Sequence, residues 1–538
     1  MISPTSSHRK VCARSILSIL LATIAIVAAI LQAGCGGGNS PSGPVLKGNT
    51  LVTVVFSGTA NDQLIQFDLA IESVTLTSKS GNTVSLVSLV SGLQPTEYMH
   101  LNGSAEPLVA ISIPQDIYVA ATATIGGAQF VCSQLTPEGG LDTSTFAYGQ
   151  TPQANVTVNL PAPITVTGNT MGLVLNLLVQ QSQMYSACYF SGGLDPFSIT
   201  PTFNLTPFAS SALSAGIGFG TVAGLNGQVS SINAASNSFV VSLPATENPR
   251  SIVVGSAAGT AYQGIGNFSA LTIGTFVNLD GAVQSDGSLL ASRVGVEDMT
   301  ATSVVTGPLL FVSDAEPALF LWGRQQQGTL FNNIFVLGAN AFSFGSAVFQ
   351  ISGQLSNLQD LPFVPSFAGS NMVPGQNVYL ATASLMNSGG FPYTPLSSVT
   401  LIPQTIDGNV TASFNSGNFT VYTVDLAPYD LFPALAVQQG QANLLNNPNE
   451  VEVYVDATTR QLNSQPLASD STFRFYGLVF NDNGTLRMDC AQINDGVSLN
   501  PPAATASAGR LEKGQSRVIR SGKLGPLLHI DRLITPSQ

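Results

Sequence analysis

Leu64-Ile65-Gln66-Phe67-Asp68-Leu69-Ala70-Ile71-Glu72-Ser73-Val74-Thr75-Leu76-Thr77, followed by Ser78-Lys79-Ser80-Gly81-Asn82 and Thr83 to Leu89, is the stretch on which the fold turns. Apolar and polar residues alternate along Leu64 to Thr77, the period of a strand with one buried face. The Ser/Gly/Asn cluster is a turn, and Thr83 to Leu89 returns as the partner strand. Thr50–Phe56 reads as a strand before it. Val109–Ile113, Tyr118–Ile125, Gln129–Cys132, Ala154–Leu160, Ile164–Val166 and Met171–Val179 follow, so 46–208 is predicted as an all-β sandwich.

Composition extends this reading to the whole chain of 538 residues, which is long enough for several domains. Hydrophobic residues make up 44% and charged ones only 9%, against roughly 25% charged in ordinary soluble domains. The 52 Gly and 31 Pro suit sheets with many turns. The net charge is −12. Basic residues gather at the two ends, so the body is acidic, which argues against nucleic acid as a partner.

Residues 67–88 (FDLAIESVTLTSKSGNTVSLVS) and 96–125 (TEYMHLNGSAEPLVAISIPQDIYVAATATI) resemble the bacterial domain-of-unknown-function family 4382 over about 60–160. The resemblance implies a β fold in an envelope setting and no mechanism. Gln115-Asp116 stands where members often carry Gly.

Gly216 to Gly224 (GIGFGTVAG) reads as a linker within 209–224, because Thr221 breaks the spacing of a dinucleotide-binding loop. From 220 to 495 the chain then repeats itself. Gly227-Gln228-Val229 precedes Ser238-Phe239-Val240-Val241, and Gly408-Asn409-Val410 precedes Asn418-Phe419-Thr420-Val421. The copies close with Gly281-Ala282-Val283, Asp286-Gly287 and Leu289–Val294, and with Gly477-Leu478-Val479, Asp482-Asn483-Gly484 and Leu486–Ile493. Asp-Gly and Asn-Gly mark hairpin turns that need φ > 0. A divergent middle copy opens at Gly307-Pro308, with an insertion expected at 340–374. These units resemble the domain-of-unknown-function family 5666. The resemblance implies small OB-like β-barrels at 225–299, 303–403 and 404–496, and closure removes exposed sheet edges.

The N-terminus carries an address. Arg9, Lys10 and Arg14 precede an apolar run from Ile16 to Leu31, a signal segment over 1–34. The run ends in Leu31-Gln32-Ala33-Gly34-Cys35, which is similar to a bacterial lipobox, although Gln32 replaces the usual Leu. The resemblance implies that Cys35 is acylated and becomes the new N-terminus. Residues 35–45, with Gly36-Gly37-Gly38-Asn39-Ser40-Pro41-Ser42-Gly43-Pro44, form a tether. A membrane partner through the lipid anchor follows, and the absence of Asp after Cys35 favours the outer membrane. Residues 497–538, with Arg510, Lys513, Arg517, Arg520 and Lys523, are expected to be a disordered basic tail.

Catalytic chemistry finds little material. A Ser-His-Asp mechanism needs a histidine base; past the leader only His100 and His529 are available, and His100 is read as structural. Of five cysteines, Cys132 and Cys188 fall in the sandwich and can pair in an oxidising compartment. Cys12 would leave with the leader, and Cys490 is expected buried. No CxxC or Cys/His cluster points to zinc, so neither a metal nor a cofactor is expected. Glu297-Asp298 and Glu450 with Glu452 are the carboxylates a polysaccharide hydrolase would use, and both read as surface patterns. Asn481-Asp482-Asn483-Gly484 is read as a hairpin turn in preference to a calcium loop, and Trp322 as core in preference to a sugar platform. The expectation is a non-catalytic envelope lipoprotein that binds polysaccharide or another protein, serves adhesion, or acts as a spacer. The alternative is a secreted hydrolase. The oligomeric state stays open.

Overall fold

The computed structural model describes residues 46–59, 64–88, 96–101, 105–126, 128–135, 141–151, 154–178, 201–208, 221–243, 251–284, 286–297, 303–313, 317–327, 338–352, 358–382, 394–426, 431–438, 445–461, 463, 465–468 and 472–495. The protein is all-β, and from Gly48 onward it forms one compact unit.

The decisive stretch is not one strand. It breaks at Ala70 into Leu64–Leu69 and Ile71–Ser78, which enter different sheets. Ile71–Ser78 pairs with Thr83–Ser88 and Ile117–Ile125 in a nine-stranded sheet, where it keeps the alternation read from sequence. Leu64–Leu69 pairs with Thr96–Glu97 and Ala128–Leu135 in a four-stranded sheet, and all six of its residues are buried. Both faces are covered there. Phe67 and Leu69 join the core shared with the larger sheet, and Ile65 packs with Leu310, Trp322 and Leu435 from later in the chain. Two further strands, Leu141–Thr151 and Phe203–Phe208, are not marked by periodicity.

A five-stranded closed barrel follows, built from Thr221–Asn233, Ser238–Ser242, Ser251–Gln263, Phe276–Val283 and Leu289–Glu297. Numbered along the chain its order is 1-2-3-5-4, with strand four returning to strand one and strands three and five parallel. The stretch 221–224 therefore belongs to a strand and not to a linker. Its Gly224 takes φ +64° and donates its N–H to Asp280.

The same order recurs over Gln404–Ser416, Phe419–Leu426, Glu450–Val455, Thr472–Asp482 and Thr485–Asp495, again with strands three and five parallel. Between them Ser303–Ser313, Ala318–Gly323 and Asn377–Thr382 supply strands one, two and four of a third ring. Here strand three is split into Gly338–Ser343 and Val348–Ile351. Strand five is split into Thr394–Pro395 and Ser398–Leu401, and the pieces pair in parallel. The region read as an insertion from 340 thus contains strand three, and the irregular segment lies after Ile351.

Local geometry repeats with the topology. Each first strand carries a β-bulge two residues after its Gly, at Val229/Ser231, Leu309/Phe311 and Val410/Ala412. Bulges add the coiling a small barrel needs to close. A Cβ on Gly227 would lie 2.3 Å from Val241 Cγ1, and one on Gly408 would lie 2.4 Å from Val424 Cγ1. That equivalence corrects the repeat alignment. The counterpart of Phe239 is Tyr422, because the hairpin of the last copy is longer. Phe419 falls an odd number of residues away and faces the opposite side. Accordingly, Phe239 and Tyr422 pack on their own barrel interiors, whereas Phe419 and Val421 join the cluster of the middle barrel.

The units share apolar contacts. Val55, Ala105 and Val174 of the sandwich pack with the first barrel. Phe363, from the segment after Ile351, meets the Tyr454 ring tilted at 5.0 Å and the Phe480 ring edge-on at 5.8 Å. Gln376 donates to the Val479 carbonyl at 2.9 Å. A short helix, Leu431–Gln438, packs on Leu141–Thr151, with Pro433 in its first turn, where no intrahelical N–H bond is lost.

Candidate functional site

The residues singled out from sequence do not converge. Cys35, the leader, the tether, Cys188, Asp298, His529 and the tail at 497–538 lie outside the described residues. Cys132 pairs its backbone with Leu64 and Ala147, and the proposed bridge to Cys188 lies outside the described residues. His100 sits in the one-turn helix Met99–Leu101. Trp322 is 2% exposed, and its indole N–H donates to Gln66 Oε1 at 2.9 Å, so it ties the middle barrel to the sandwich. Cys490 is buried and its thiol is pushed up by burial, which leaves it protonated and unreactive.

Glu452 is engaged. Its Oε2 accepts from Arg487 at 3.0 Å and from the Tyr454 hydroxyl at 2.8 Å, while Arg487 also reaches Asp482 at 2.5 Å. The guanidinium lies 5.1 Å over the Phe363 ring, a cation–π contact that fastens the middle barrel to the last. Burial, then the Glu452 carboxylate, push the Tyr454 phenol up. Asn481 Oδ1 accepts the Gly484 N–H at 2.8 Å, so the Asn-Asp-Asn-Gly loop uses its oxygens to shape a hairpin, with Asn483 at φ 52°.

Sequence reasoning missed the most unusual polar group, Asp489 on strand five of the last barrel. It pairs with Tyr454 on strand three and Leu478 on strand four, and is 8% exposed. Gln492 pairs with Tyr476. Tyr476 and Leu478 are two apart on one strand, so a bulge that takes up the extra residue brings Asp489 and Gln492 onto one face. Asp489 Oδ2, Gln492 Oε1 and Asn463 Oδ1 are buried acceptors with no hydrogen-bond partner among the described residues, in a class of group that is nearly always satisfied. Burial raises the Asp489 carboxyl to about 7, and the nearby Asp456 carboxylate adds to the shift. Asp456 Oδ1 caps its own turn, accepting from Thr458 N at 2.8 Å and Thr459 N at 3.1 Å. The signal is present in Leu486-Arg487-Met488-Asp489-Cys490, whose alternation turns Asp489 outward. That another layer covers this face is not written in the strand.

Residues 226–295 match the family described as a domain of unknown function, DUF5666, which spans most of the first barrel. A search of the curated proteins gave no match. Among solved structures, a deletion mutant of the single-stranded DNA binding protein from Thermus aquaticus is 11% identical. It covers 38% of this chain and 97% of that one at a TM-score of 0.13, too slight a likeness to inform fold or partner.

Proposed function

We propose that this chain is an exported, lipid-anchored binding protein of the bacterial cell envelope without catalytic activity. The observation that carries the reading is Ala33-Gly34-Cys35, placed after the apolar run Ile16–Leu31 and before the Gly/Ser/Pro tether. Acyl chains on Cys35 would make release negligible, at about 0.8 kcal/mol per buried CH₂. The likeness of 60–160 to family 4382 supports the envelope setting, and the acidic body disfavours nucleic acid. The chain has only three histidines and five cysteines, and Glu452 is neutralised by Arg487, which weighs against the hydrolase reading. The shared cores of sandwich and barrels favour a binding body over a spacer of independent beads. The partner class is envelope polysaccharide or an envelope protein.

The anchor is tested by mass spectrometry of the mature N-terminus with membrane fractionation. Cys35 should carry diacylglycerol, and Cys35→Ser should lose the lipid and leave the membrane fraction. An unmodified terminus downstream of Cys35 in the native protein would overturn the reading.

A further inference from the structure

We propose that the outer face of the last barrel holds a calcium-type cation between Asp489, Asp456 and Gln492. The proposal is independent of the lipid anchor. Two observations meet at this place. One is a pair of carboxylates at the seam between strands three and five: Asp489 lies opposite Tyr454, and Asp456 follows two residues after Tyr454 where strand three ends. The other is a pair of buried acceptors that no group among the described residues satisfies: Asp489 Oδ2 and Gln492 Oε1. Gln492 is 2% exposed and lies on the face that carries Asp489.

Acceptor oxygens deprived of water need a donor or a positive charge. The cations nearby are committed elsewhere. Arg487 is held by Glu452 and Asp482, and Arg474 by Asp407. Arg460, opposite Gln492, does not figure among the charges acting on Asp489. The donor set is all oxygen, two carboxylates and an amide carbonyl, which is the chemistry of a hard divalent ion. Calcium accepts mixed carboxylate and amide ligands in irregular geometry, whereas magnesium demands a near-ideal octahedron and keeps its waters. Two carboxylates neutralise one such ion. A proton on Asp489 is the competing occupant, and it satisfies only one carboxylate oxygen.

The test uses the full chain in mild detergent, freed of metal by chelation. Terbium luminescence sensitised by tyrosine should report one saturable site that calcium displaces. Calcium should raise the melting temperature at pH 8. Asp489→Asn should weaken both responses by about tenfold or more, since affinity follows ligand charge. Asp425→Asn, exposed on strand two of the same barrel, should leave them unchanged. Gln492→Glu adds a carboxylate without removing a ligand and should tighten calcium binding, which keeps the test decisive if Asp489→Asn fails to fold. The proposal falls if terbium and calcium responses are the same in Gln492→Glu and the native chain. It falls equally if melting responds to pH through Asp489 but never to calcium, which would assign the place to a proton alone.

Discussion

The barrel at Thr221–Glu297 and the barrel at Gln404–Asp495 put different chemistry on the same scaffold positions. Where strand one faces strand four, the first barrel pairs Asn226 with Asn278, amide to amide at 2.8 Å. The last barrel has Asp407 facing Arg474 there, joined through two guanidinium–carboxylate bonds at 2.9 and 2.8 Å. The first barrel takes its guanidinium from strand five instead. Arg293 bonds Asp280 and Asn278, and Asp280 also holds the Gly224 N–H. Two solutions at one position show what the fold requires there. It requires every buried polar group to be paired, and leaves open whether the pair is charged.

That difference sets the largest expected effect. Arg474→Met leaves the Asp407 carboxylate buried with its bidentate partner gone, and should destabilise the last barrel by about 3–5 kcal/mol. Asn278→Leu leaves the Asn226 amide short of a partner and takes one acceptor from Arg293, which keeps Asp280, and should cost the first barrel about 1–3 kcal/mol. Hydrogen exchange resolved by peptide would assign each loss to its barrel, which a single melting curve of a chain with several cores does not. The double change Asp407→Asn with Arg474→Asn installs the first barrel's amides and should recover much of the loss. A double variant no more stable than Arg474→Met would break the equivalence.

The second comparison is the bulge on strand four, at Asp280/Gly281 and Tyr476/Gly477. A Cβ would meet the Leu290 carbonyl oxygen at 2.4 Å in the first barrel and the Asp489 carbonyl oxygen at 2.0 Å in the last. Both contacts are to backbone, which cannot swing away. Gly281→Ala and Gly477→Ala should each cost about 1–3 kcal/mol, in the range of overpacked interiors, with Gly477 the worse. Denaturant midpoints followed by exchange in each barrel would rank them, and a larger loss at Gly281 would contradict the geometry.

These bulge glycines stand out in the amino-acid sequence itself, as the shared Gly-Ala-Val and Gly-Leu-Val ends of two copies. The hairpin signals behave likewise, with Gly287 at φ 84° and Gly484 at φ 89°. What stays hidden has physical causes. A strand periodicity reports one buried face, so it cannot show that Leu64–Leu69 is covered on both sides and leaves the strand after it. Leu141–Thr151 is too polar to announce itself. Phe239 and Phe419 look alike in sequence, but a longer hairpin puts the second on the wrong side of its strand. Asp489 has the pattern of an outward residue, and outward means solvent only when no neighbouring domain lies there.

Asp489 and its counterpart Leu290 give the third contrast. Leu290 is 41% exposed on the first barrel, while Asp489 is buried on the last. The folded carboxyl of Asp489 titrates at about 7, above its ordinary value of 3.8. The folded state therefore holds this proton more tightly than the unfolded chain does. Its contribution is full below about pH 4 and declines as pH rises through 7, by roughly 1.4 kcal/mol per pH unit within that interval. In chelated buffer the native chain should lose stability from pH 5 to 8 relative to Asp489→Asn. Leu290→Asp, placed in solvent, should add little of that pH dependence. A native profile that is flat against Asp489→Asn over this range would sink the assignment.

The smallest effect concerns a feature the two barrels share. After strand three begins, a Thr hydroxyl fastens the local break to strand five. Thr260 Oγ1 donates to the Ala291 carbonyl and Thr459 Oγ1 to the Cys490 carbonyl, both at 2.7 Å. Each hydroxyl also accepts a backbone N–H, from Ala257 at 2.9 Å and from Asp456 at 3.1 Å. Replacing either Thr with Val keeps the shape and removes both bonds, which predicts about 1 kcal/mol per site. The turns around them are not equally held. In the last barrel Asp456 Oδ1 also accepts the N–H groups of Thr458 and Thr459, whereas the first barrel has Ala257 in that place. Thr260→Val should therefore loosen residues 257–260 more than Thr459→Val loosens 456–459. Amide exchange at the two turns measures the difference directly. Equal loosening would mean that the Asp456 carboxylate adds no hold of its own, and that the hydroxyl alone keeps strand three against strand five in both barrels.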